Sequence, residues 1–155
     1  MTKPFILIAR IRVKEGKVEE YLKIAKEADD AVNASEPDML IHTFDQDPTD
    51  PLEFTWSEVY RNSEAMLHHL NNPPVQAYVE KHNKIADRFE IEVYGNITEE
   101  TINAIKDTNI PFKHFKGLFS PPIASIAIVI CLFDIYTIFV LLISALKSVF
   151  HCTYL

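Results

Sequence analysis

The chain has 155 residues, enough for one domain around a single modest core. All but one of its 15 Lys+Arg and all but one of its 22 Asp+Glu lie in the first 116 residues, so the formal charge of −7 belongs to that part and residues 117–155 carry only Asp134 and Lys147. An acidic domain with no basic stripe repels phosphate backbones, which argues against a nucleic-acid partner. Both cysteines, Cys131 and Cys152, fall in the tail, so the first part needs no disulfide and suits a reducing compartment.

The apolar run Phe5-Ile-Leu-Ile-Ala9 is interrupted by Arg10 and Arg12 too early for a secretory signal. It predicts a strand over 5–13, rich in β-branched residues, after which Lys14-Glu15-Gly16-Lys17 turns the chain. From Val18 the period changes. Val18, Tyr21, Leu22, Ala25, Ala28 and Val32 recur at three- and four-residue spacing, one face of an amphipathic helix that Pro37 ends. A second strand over 39–45 places Leu40, His42 and Phe44 on one face. After the Asp47-Pro-Thr-Asp-Pro51 connection, a third strand over 53–60 aligns Phe54, Trp56, Glu58 and Tyr60, because strand side chains alternate. Asn62 or Ser63 caps a short helix holding Ala65, Met66 and Leu70, which Pro73-Pro74 break. A longer helix carries Val75, Tyr78, Val79, His82, Ala86 and Phe89 on one stripe and leads into an alternating strand over 90–97. Thr98 then caps a last short helix, with Glu99 and Glu100 at its positive end. No strand is expected beyond Ile97, and the domain boundary falls at Lys116, giving a domain over 1–116 and a tail over 117–155.

The order βαββαβ specifies an α+β, ferredoxin-like sandwich in which helices cover one face of the sheet. The other face has no cover within one copy. Burying it against a second copy predicts a homodimer.

The strings Glu58-Val-Tyr60, Ser63-Glu-Ala65, His69-Leu70-Asn-Asn-Pro73 and Val75-Gln-Ala-Tyr78 resemble the antibiotic-biosynthesis-monooxygenase (ABM) family. That family shows a Glu-x-aromatic strand end, an Ala four residues before a His-Leu pair, then a Pro and an aromatic. Residues 5–16 resemble its first strand and turn, so the resemblance spans about 4–97. It implies a dimeric α+β barrel. For the enzymes of the family it implies oxidation of quinols or polyketide anthrones by O₂ without metal, flavin or other cofactor. The substrate phenolate itself gives up an electron, and the protein supplies a dry pocket, an aromatic wall and a base or hydrogen-bond donor. At such a pocket the resemblance places Trp56, Tyr60 and Tyr78 as contacts to a small aromatic substrate, and His42, facing inward beside Phe44, is a further candidate contact. The resemblance places His69 as the proton acceptor, an imidazole whose ordinary pKa of about 6.5 suits the role. Each has a plainer reading beside this one: Trp56 and the tyrosines as core, His69 as an interface histidine, His42 and His82 as hydrogen-bonded core histidines. His68, about 100° round the helix from His69, faces solvent. A haem-degrading branch of the superfamily uses a first-strand Asn, a helix Trp and a ligand His, and Ala9, His69 and Val79 stand at those positions, which excludes haem degradation. Many quinol-oxidising members carry a second His just after the Pro of the His-Leu segment; Pro74 stands there. Two functions follow: a cofactor-independent oxygenase, or a non-catalytic barrel that binds a small apolar ligand or assembles. A pocket where His69 and a tyrosine hydroxyl converge favours the first; one shut by Trp56 and Met66 favours the second.

Other chemistries lack their residues. Asp45-x-Asp47 hints at a calcium loop, but Pro48 and Pro51 intrude and Trp56 occupies the place of the closing Glu. Zinc spacing is missing, and the three glycines form no phosphate-binding run. The tail is a separate material. Pro121-Pro122 precede Ile123–Leu146, interrupted among charged groups only by Asp134. As a helix this run reaches about 36 Å, enough for a hydrocarbon layer of about 30 Å. Lys106, Lys113 and Lys116 before it, against Lys147 after it, predict a single-pass anchor with the domain on the cytoplasmic side. The same composition also fits translated non-coding sequence, which would leave a soluble cytoplasmic domain.

Overall fold

The computed structural model describes residues 3–119, and apart from Leu118 and Phe119 these belong to one compact unit, Met1–Gly117. In chain order the elements are β1 (Phe5–Val13), α1 (Val18–Ser35), β2 (Met39–Gln46), β3 (Glu53–Tyr60), α2 (Ser63–Asn71), α3 (Pro73–Ile85), β4 (Ala86–Tyr94), α4 (Glu99–Asp107) and β5 (Phe112–Phe115). The strands form one sheet in the order β2-β3-β1-β4-β5, antiparallel throughout except for the parallel β4–β5 pair. This is the expected ferredoxin-like α+β arrangement with one strand added. The apolar run expected to span a membrane, 123–146, lies outside the described residues. Among those described, no helix is long and apolar enough to cross a membrane.

The local chemistry matches the elements. On β1, Phe5, Leu7, Ala9, Ile11 and Val13 point to the helices and are buried, while Ile6, Arg10 and Arg12 point away. On β3, Phe54, Trp56, Glu58 and Tyr60 share the same inward face. The Asn62 side chain caps α2 by accepting from the Ala65 N–H at 2.9 Å, and the Thr98 hydroxyl caps α4 by accepting from the Thr101 N–H at 3.2 Å.

Four expectations are corrected. Leu22 is 45% exposed, and Ile24 takes the inward place on α1. The buried stripe centres on Tyr21, Ala25, Ala28 and Val32, and Leu22 lies about 100° round the helix from Tyr21, off its edge. Leu40 is also exposed, because a bulge in β2 sets Met39 opposite Tyr60 and Ile41 opposite Val59. The extra residue breaks the alternation, so that Met39, His42 and Phe44 face the helices. Ala86 and Phe89 belong to β4, not to the preceding helix. Lys14 N–H bonds the Ile85 carbonyl at 3.0 Å, and Ala86 pairs with Val13, so the end of β1 terminates the helix. Finally, a strand does lie beyond Ile97: β5 returns through α4 and pairs Ile91 with Phe112 through Tyr94 with Phe115. Its four residues alternate too briefly to register as a strand on their own.

The face of the sheet away from the helices is graded. Ile41, Val59, Ile6, Tyr94 and Phe115 lie side by side across all five strands, and the Tyr94 and Phe115 rings stack at 4.6 Å. At the opposite end of the face Arg12 and Arg88 both pair with Glu53.

Candidate functional site

Between α1 and β2 a cleft of about 330 Å³ opens over Leu22, Ala25, Lys26, Asp29, His42, Phe44 and Trp56. The β2 bulge turns the His42 and Phe44 side chains inward, where His42 stacks on the Trp56 indole at 4.3 Å and 12°, and Phe44 tilts against it at 4.5 Å. Asp29, three turns along α1 from its start, accepts from His42 Nδ1 at 2.8 Å. His42 Nε2 lies 3.9 Å from Glu58 Oε1, beyond hydrogen-bond distance. A histidine held at Nδ1 by a carboxylate presents Nε2 as its acceptor nitrogen.

Behind the cleft the Trp56 Nε1–H donates to Tyr78 Oη at 2.9 Å, Tyr78 meets Tyr21 Oη at 2.5 Å, and Tyr21 meets His82 Nδ1 at 2.7 Å. These groups are buried. Burial alone lowers the His82 pKa to about 4, and burial, aided by the Glu58 charge and opposed by the hydrogen bonds with Tyr21 and Trp56, raises the Tyr78 pKa to about 12, so the imidazole is neutral and the phenol keeps its proton.

A second polar cluster lies toward α2. Tyr60 donates to Glu58 Oε2 at 2.6 Å, and burial pushes its phenol well above the ordinary range, with the Glu58 charge acting in the same direction. His69 Nδ1 meets Glu36 Oε2 at 3.0 Å, and Asn72 donates to Glu36 Oε1 at 2.6 Å. Burial is the largest single effect on His69 and Glu36 and opposes the charged form of each, but their mutual hydrogen bond and charge attraction, with the Asn72 bond to Glu36, together outweigh it. The His69 pKa is raised, with the Glu58 charge adding to the effect, and the Glu36 pKa is lowered. His69 thus holds its proton to a higher pH than a free imidazole. That suits a charge clamp or a proton donor better than a base. The Tyr60 and His69 rings meet edge-on at 5.6 Å.

Of the residues nominated from sequence, His42, Trp56 and Tyr78 come together, while Tyr60 and His69 form the neighbouring cluster, with Glu58 between the two. A larger cleft of about 390 Å³, over Glu36, Met39, Asn62, Ala65 and His68, has no tyrosine, tryptophan or phenylalanine in its wall. The smaller His42 cleft has both Phe44 and Trp56 in its wall. Sequence reasoning missed Asp29, Glu36, Asn72 and the partnership of Tyr21 with His82. Only Glu58 carried a signal, through its shared strand face with Trp56. Among the described residues, no group of His, Cys, Asp and Glu side chains is arranged to hold a metal ion.

Known proteins agree with this architecture. The Synechocystis protein sll1783 is 29% identical over 100 residues, which cover 64% of this chain and 67% of that protein. A Caulobacter crescentus protein named as a candidate antibiotic biosynthesis monooxygenase superposes with a TM-score of 0.57 at 22% identity, covering 59% of this chain and 88% of that one. PA3566 of Pseudomonas aeruginosa superposes at 0.56 with 21% identity, covering 63% and 98%. At such identities these structures attest the fold. The family model described as antibiotic biosynthesis monooxygenase matches residues 4–81, half of the chain, and the chain belongs to that family.

Proposed function

We propose that the chain is a cofactor-independent oxygenase that oxidises a small electron-rich phenol or quinol with O₂ in the His42 cleft. The observation that carries the reading is the Asp29–His42 pair stacked on Trp56 in an aromatic-walled cleft. His42 Nε2 takes the phenolic proton, Asp29 orients the ring and stabilises the imidazolium, and the phenolate, now electron-rich, reduces O₂ directly. Glu58, 3.9 Å from Nε2, adds negative charge where the imidazolium forms. His69 and Glu36 clamp α2 to the end of α1 and take no part in proton abstraction. We extend the proposal to assembly: the apolar row across the open sheet face is the surface on which a second copy packs.

Oxygen uptake by the full-length chain against a panel of quinols and anthrones tests the reading. Turnover is expected with at least one of them. His42→Ala should lower it by roughly 10²–10⁴-fold, with a smaller loss in Asp29→Asn. An unchanged rate in His42→Ala removes the base. A second reading, a barrel that binds a small apolar ligand without turnover, is favoured by the near-complete burial of Trp56 and Met66. Binding of the same aromatics without oxygen uptake selects it.

A further inference from the structure

Trp56, Tyr78, Tyr21 and His82 make one unbroken hydrogen-bonded line through the core. One assignment gives every hydroxyl hydrogen an acceptor. The indole can only donate, so Tyr78 accepts from Trp56 and donates to Tyr21, and Tyr21 donates to His82 Nδ1. The neutral state of the buried His82 supplies the lone pair at which the line ends. The two ends open on different spaces. Trp56 lines the His42 cleft, whereas His82 lines a second cleft of about 550 Å³ between α3, β4 and residues 108–111.

We propose that these four side chains form a proton-coupled electron relay that clears an oxidising equivalent left at the floor of the His42 cleft. The proposal rests on oxygen chemistry taking place in that cleft. A peroxyl radical that fails to react onward there takes one electron from the Trp56 indole and, with a proton from solvent, becomes a hydroperoxide. The indole radical cation then takes one electron from Tyr78. As it does so, the Tyr78 phenolic proton passes to the Tyr21 oxygen, and the proton of Tyr21 passes to His82 Nδ1. The products are an intact indole, a phenoxyl radical on Tyr78 and an imidazolium at His82. One electron has left the protein, and one proton has moved along bonds already in place. A phenol radical cation is a far stronger acid than an imidazolium, so the weak basicity of His82 does not stop the transfer. The indole, which would otherwise hold the radical beside O₂, is restored.

Trp56 is the only tryptophan of the chain, so its radical is read without overlap. Azide radicals generated by pulse radiolysis oxidise indoles ahead of phenols, and no substrate is needed. In the full-length chain the indole-radical absorbance should decay as phenoxyl absorbance rises, more slowly in D₂O than in H₂O. Tyr78→Phe should abolish that rise and prolong the indole radical. Tyr21→Phe, which leaves Tyr78 its bond to Trp56 but removes its proton acceptor, should slow transfer by a factor on the order of 10². An indole radical with one lifetime in all three proteins overturns the relay, as do equal transfer rates in the two solvents, a comparison that uses only the unaltered chain. Since the readout is independent of turnover, an inactive oxygenase leaves it interpretable, and a missing relay leaves the oxygen-uptake assay free to stand or fall separately.

Discussion

His69 and Glu36 are buried partners with opposite pKa shifts, which makes their contribution to stability a function of pH. The lowered Glu36 pKa stabilises the fold above the ordinary carboxyl value of 4.5, and that part is lost as pH falls through the folded-state value. The raised His69 pKa stabilises the fold fully below 6.5, and that part is lost as pH rises through the folded-state value. The pair therefore acts most strongly between these two limits. His82 runs the other way over part of this range, since unfolding below 6.5 lets a neutral buried imidazole take up a proton. A single profile mixes the two. The difference between wild type and His69→Gln in urea midpoints isolates the clamp, and it should be largest at about pH 5–6 and shrink toward both pH 3 and pH 9. His69→Ala, which strands Glu36 without its countercharge, should cost about 3–5 kcal/mol near pH 6. A flat difference profile would show that the pair is not ionised in the folded protein.

At the scale of elements, the strand that the sequence did not disclose pairs along the end of β4 and is fastened at its last residues by a glycine. Gly95 has φ +129, a conformation that side chains disfavour, and a Cβ built there would approach Phe5 Cβ to 2.8 Å. Its N–H donates to the Phe115 carbonyl at 3.0 Å, and its own carbonyl accepts from His114 Nε2 at 2.8 Å. Gly95→Ala should therefore destabilise the domain by about 1–3 kcal/mol. Hydrogen exchange should locate the loss in β5 and the end of β4 first. A variant with unaltered melting and exchange would mean that Phe5 and the backbone shift without cost. Removal of everything after Ile97 tests the same junction more severely: it uncovers the edge of β4 and should lower stability, whereas a chain ending at Gly117 keeps every pairing of the described sheet.

At the scale of the whole domain, the proposed assembly is tested on the open face. Ile6, Ile41, Tyr94 and Phe115 are each more than a third exposed and lie in one row with Val59, and a contiguous apolar band on a charged domain marks a surface for burial. The expected outcome is a dimer by sedimentation at micromolar concentration. Ile6→Glu, at the centre of the row, places like charges across a two-fold interface and should give a folded monomer. A wild-type monomer, or a dimer indifferent to Ile6→Glu, assigns the row another role.

Period and punctuation alone determined the ranges of β1, α1 and β3 and the short α2 before the proline pair. Each rests on a preference local to the segment: alternation, a 3.6-residue stripe, a cap, a missing N–H. The family resemblance and residue type together nominated His69, Trp56, Tyr60, Tyr78 and His42 as site candidates. Tertiary structure decided the rest. The bulge that exposes Leu40 and the start of β4 at Ala86 follow from register against β3 and β1, not from any property of Leu40 or Ala86 themselves. Asp29 reaches His42 across 13 positions, Glu36 reaches His69 across 33, and Tyr21 reaches Tyr78 across 57. No local signal marks such pairs. A buried polar group finds its hydrogen-bond partner only when packing has brought distant segments together, and that packing belongs to the whole fold.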